Sequence, residues 1–161
     1  MTNENTIQVK IKAKDLKSLG SHCFGISYSY QVPKPEPNPE SPLSLTASQS
    51  ENESLTKYKI SITNKRDEVQ GMLMCIISLQ TGLKVNLNDL EGLRRNEIVD
   101  FYELRKANSE VILYWRGMAQ EGKREVELAL LKEFEVKNAL PTLISAYLYY
   151  DKSGSLLSKL I

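Results

Sequence analysis

Few residues in this sequence have the types and spacing to do chemistry. His22 and Cys23 are adjacent and would form a nucleophilic pair if the ring could take the thiol proton. Residues 23–32 alternate like a strand, however, and neighbours on a strand point to opposite faces, so the two side chains cannot share a proton directly. Asp89 and Glu91 could be a carboxylate pair, but on a charged helix they are more simply solvated charge. Asn52-Glu53-Ser54 is a glycosylation sequon, relevant only if the chain is secreted. Tyr147, Tyr149 and Tyr150 could form a binding patch, although core and strand-edge packing is the simpler reading. There is one histidine, no metal-ligand spacing, and no glycine cluster to cradle a phosphate. The expectation is therefore a non-catalytic protein with no catalytic residue, no cofactor and no metal.

The elements that must position these side chains are organised around residues 71–95. Residues 72–79 are almost uninterrupted apolar, with room to bury both faces, as in a central sandwich strand. Thr81-Gly82 ends the run. From Asn86 the apolar residues recur at Leu87, Leu90 and Leu93, one side of a short helix over 86–95. Asn86 can cap it, and Asp89 sits in the first turn, where a carboxylate favours the helix dipole. Asn88, Glu91, Arg94 and Arg95 are expected on its outer face, with Lys84 just before it. That face is solvated surface in the plain reading and a docking face in the sharper one.

Elsewhere the chain reads as strands. Residues 7–11 and 23–32 alternate in a pair that needs a neighbour. Five prolines between 33 and 42 make a stiff spacer. Further strands are expected at 43–47, 57–63, 98–104, 111–115, 125–130 (with Phe134 and Val136 extending it) and 143–150. The tail, 151–161, is expected to fray. Short strands divided by turn signals imply an all-β antiparallel sandwich with one short α-helix. A length of 161 residues, net charge +1 and 25% charged residues give no reason to expect nucleic acid or a membrane as the partner. No apolar run is long enough to span a bilayer, and the polar N-terminus is not a signal peptide. Cys23 and Cys75 are read as free thiols, with a disulfide open only if their strands are neighbours.

Several stretches in order resemble the C-terminal receptor-binding domain of the alpha-2-macroglobulin family. MLMCIISLQTG (72–82) is similar to that family's strand ending in a small residue and glycine, and 83–95 to its single helix. VILY (111–114) resembles the hairpin strand that follows. FEV (134–136) with Leu140-Pro141 resembles a late turn, and YLYYD (147–151) the closing strand. CFGISYSYQVP (23–33) resembles the strand entering from a preceding CUB-like domain. The resemblance implies four parts: 1–33, the end of a CUB-like domain; 34–42, a linker; 43–152, the receptor-binding sandwich; and 153–161, a tail. It also implies a secreted parent protein, a protease inhibitor or a complement-like component of innate immunity, of which this chain is a C-terminal piece. The implied partners are an endocytic receptor of the lipoprotein-receptor-related type or other domains of the parent. Receptor-binding members place two lysines on the helix. Aligned through Gly82, those positions fall on Leu87 and Glu91, so no such lysine carries over. The recognition residues expected here are Lys84, Asn88, Glu91, Arg94 and Arg95.

Overall fold

A computed structural model describes residues 38–52, 54–66, 69–137 and 139–161. His22, Cys23 and the segment read as CUB-like lie outside the described residues. The elements are β1 (Leu43–Glu51), β2 (Leu55–Asn64), β3 (Val69–Ser78), β4 (Leu83–Val85), α1 (Leu87–Arg95), β5 (Phe101–Arg105), β6 (Glu110–Met118), β7 (Lys123–Lys132), β8 (Leu143–Leu148), α2 (Lys152–Ser155) and β9 (Leu157–Leu160). They form two antiparallel sheets, β1-β2-β7-β4 and β5-β6-β3-β8-β9. The fold is the expected all-β sandwich.

The alternation in each strand decides which side faces inward. On β2, Tyr58, Ile60 and Ile62 are buried while Lys57 and Lys59 face water, and β7 matches them with Val126, Leu128 and Leu130. Tyr58 stands opposite Leu128 and Ile60 opposite Val126. The second sheet answers with Leu73, Cys75 and Ile77 of β3 and Val111, Leu113 and Trp115 of β6. Trp115 is almost fully buried, and its indole N–H donates to the Ile98 carbonyl at 2.6 Å, satisfying the one polar atom of the ring. The Tyr58 and Thr142 hydroxyls, both buried, share a hydrogen bond at 2.5 Å.

β3 is the central strand of its sheet, and both of its faces are covered. Besides the core residues, Met74 packs outside with Ile112 and Tyr147 in a second apolar cluster. Met74 and Tyr147 belong to a row running straight across four strands: Phe101 opposite Tyr114, Tyr114 opposite Met74, and Met74 opposite Tyr147.

The structure departs from expectation at several places, among them the strand expected at 98–104, which begins only at Phe101. Leu83–Val85 is a short edge strand, β4, paired with β7; three residues are too few for a period to show. Leu87 is 56% exposed, not on the buried side of the helix. It is the first helical residue, and the inward turn is made by Leu90 and Leu93. Phe134 and Val136 do not extend β7; both are exposed in irregular chain after Lys132. β8 stops at Leu148, so of the three tyrosines only Tyr147 is buried, and Tyr149 and Tyr150 stand exposed, edge to face. Finally, the tail does not fray. Asp151 caps α2, and β9 adds an edge strand to β8, with Ser145 and Ser158 hydroxyls bonded across the pair at 2.8 Å. The tail is also tied to the start of the sandwich. Ser41 Oγ donates to the Ser155 carbonyl, and the Asn38 amide to the carbonyls of Gly154 and Leu156.

Candidate recognition surface

The expected surface sits where the chain crosses from one sheet to the other. β4 ends the four-stranded sheet, β5 begins the edge of the five-stranded one, and α1 is the connection between them. Gly82 starts this passage with φ +93°, a left-handed conformation suited to glycine; a Cβ there would lie 2.4 Å from the Phe134 carbonyl oxygen. Asn86 then caps the helix, its side-chain oxygen accepting from the Asn88 N–H at 3.1 Å. Asp89 in the first turn and Arg94 and Arg95 in the last suit the helix dipole. Leu90 and Leu93 anchor α1 in the common core, which leaves the opposite side to solvent.

On that side the structure brings Glu91, Arg94 and Arg95 together. Glu91 receives both nitrogens of the Arg94 fork, Nε at 3.2 Å, and lies 3.5 Å from Arg95. The Tyr102 hydroxyl on β5 donates to the same carboxylate at 3.3 Å. The Arg94 hydrogen bonds are the main reason the Glu91 carboxyl is held far down, at about 2. Arg95 is more open than Arg94 or Lys84, with 74% of its side chain exposed. Asn88 is exposed on the same helix. Lys84 is not part of this cluster: it stands on β4 and pairs with Glu133 at 3.0 Å. Sequence reasoning missed two contributors. Tyr102 comes from the following strand, with no signal in the helix, and the exposed Leu87 was hidden by its helical spacing.

Beside the helix, Asn88, Asp89, Gly92, Leu93 and Asn96 form a shallow groove with Glu127 and Ala129 of β7. A Cβ added at Gly92 would meet nothing within 4 Å, so the groove stays open there.

Cys75 is a free, fully buried thiol, pushed up to about 12 by burial, which makes it inert as a nucleophile. Among the described residues no group of three His, Cys, Asp or Glu side chains could hold a metal ion, and no helix is long and apolar enough to cross a membrane.

The family model described as A-macroglobulin receptor binding domain matches residues 68–158, from the start of β3 into β9. The chain belongs to that family. No curated protein matches the chain. The A-macroglobulin receptor binding domain is a non-catalytic module, and its match takes in α1 and every helix residue of the surface described above. The β1–β2 hairpin lies before the matched residues yet supplies half of the four-stranded sheet.

Proposed function

We propose that this domain is the recognition module of a secreted alpha-2-macroglobulin-like protease inhibitor. In this reading α1 docks onto an endocytic receptor of the lipoprotein-receptor-related type, which clears the activated parent protein. The observation that carries the reading is the outer side of α1. It is the one helix of more than a single turn among the described residues, it is anchored by leucines on the inside, and it presents two arginines on the outside, both beside Glu91. Arg94 and Arg95 are the groups that meet acidic receptor side chains, as planar forks able to take a carboxylate with two hydrogen bonds. Asn88 and Glu91 border them, while Lys84, on β4, is paired with Glu133 and stands apart from this contact.

The test is binding and cellular uptake of the full chain carrying Arg94→Glu and Arg95→Glu. Uptake lost, with unfolding still cooperative and near the wild-type midpoint, supports the reading. Unchanged uptake sinks it. A second reading is favoured by Phe101, Leu140, Tyr149 and Tyr150, all large, apolar and more than half exposed. Here the domain packs against other domains of its parent, and polar substitutions at Phe101 and Tyr150 release it from them while uptake is unaffected.

A further inference from the structure

We propose that Asn52 carries an N-linked glycan and that the β1–β2 hairpin is already shaped to hold one. Asn52-Glu53-Ser54 is the only Asn-X-Ser/Thr triplet in the sequence, and it falls at the tip of this hairpin. Asn52 is exposed there. The two ends of its side-chain amide have different roles. The carbonyl oxygen accepts from the backbone N–H groups of Ser54 at 3.1 Å and Leu55 at 2.7 Å, closing the turn. The Asn52 backbone N–H donates to the Leu55 carbonyl at 2.9 Å, so the main chain is satisfied as well. The amide nitrogen makes no hydrogen bond among the described residues. Glycosylation takes that nitrogen and leaves the oxygen as an acceptor, so every bond that shapes the turn survives it.

The transfer balances without further reagents. The Asn52 amide nitrogen attacks the anomeric carbon of a lipid-pyrophosphate-linked oligosaccharide. The N–C bond forms as the C–O bond to pyrophosphate breaks, the nitrogen gives up one proton, and the lipid pyrophosphate leaves. This site rests on the secreted parent of the proposed function but not on α1 as its docking face, since the hairpin tip is far in sequence from α1.

The experiment is translation of the full chain behind a cleavable leader, with microsomal membranes, scoring only chains protected from added protease. The expected result is one glycan on most protected chains, removed by a peptide N-glycanase with conversion of Asn52 to Asp. Ser54→Ala should abolish it, because that change keeps both backbone N–H donors and therefore the turn. Protected chains unmodified at Asn52 overturn the proposal. So does a glycosylated chain that has lost the cooperative unfolding shown by Ser54→Ala.

Discussion

At the scale of single residues, backbone geometry and charge pairing make separate predictions. Gly82 joins β3's exit to β4 with φ +93° and has the Phe134 carbonyl where a Cβ would go. Gly82→Ala should therefore cost about 2 kcal/mol or more, read as a lowered denaturant midpoint at unchanged slope. By contrast Gly92→Ala, in a helix with open space beside it, should stabilise by about 0.5–1 kcal/mol. Glu91 argues about pH. Its folded carboxyl lies at about 2 against an ordinary 4.5, held there chiefly by Arg94. A depressed carboxyl contributes stability above 4.5 and loses it as pH falls toward 2. Glu51, Glu103, Glu125 and Glu127 are lowered in the same direction by Lys132, Arg105, Lys123 and Lys57. Thermal midpoints should thus stay level between about pH 7 and 5 and drop only below that. A marked loss at pH 5.5 would mean that other groups govern the acid response.

At the scale of elements, what the sequence revealed depended on period and length. β2 and β7 alternate over ten residues each, so their inward faces were readable. β3 was readable as a strand buried on both sides. α1 was readable from Asn86, Leu90 and Leu93, but helical spacing cannot say which leucine at a helix end loses its neighbours. Leu90→Ala should cost about 2–5 kcal/mol and Leu87→Ala under about 0.5, in the same unfolding assay. Similar costs at the two positions would contradict the helix orientation that underlies the proposed recognition surface. The C-terminal elements were not legible because nothing local specifies them. β9 is four residues, and its partners are β8 beside it and the start of the sandwich. Asn38 and Ser41 reach Leu156 and Ser155, just before it, across more than a hundred residues of sequence. Deleting residues 153–161 strips the backbone partners of Thr142 and uncovers the edge of β8. The loss should exceed the roughly 1 kcal/mol of an ordinary point substitution, whereas a frayed tail would be removed without effect. Of the surface cluster, Glu91, Arg94 and Arg95 were visible as a helix face. Tyr102 was not, because only the crossover from sheet to sheet brings β5 alongside α1.

At the scale of the whole molecule, the two sheets are joined by side chains, so one thiol can report whether they separate. Cys75 lies on the central strand of the five-stranded sheet, opposite Leu113 on one side and Ala146 on the other. It is fully buried, and its thiol is pushed up to about 12, so neither access nor ionisation favours attack. No local opening of a loop or terminus exposes it, because both neighbouring strands are themselves interior to the sheet. A Cys23→Ser chain, left with that single thiol, should resist alkylation in native buffer. Its labelling should rise with urea along the same slope as global unfolding, since the reactive state is the unfolded one. The measured opening free energy should match that from equilibrium denaturation. A shallow slope or rapid native labelling would mean that the sheets part locally. The core that holds Leu90 and Leu93 would then be too loose to present α1 as the fixed surface that the proposed recognition requires.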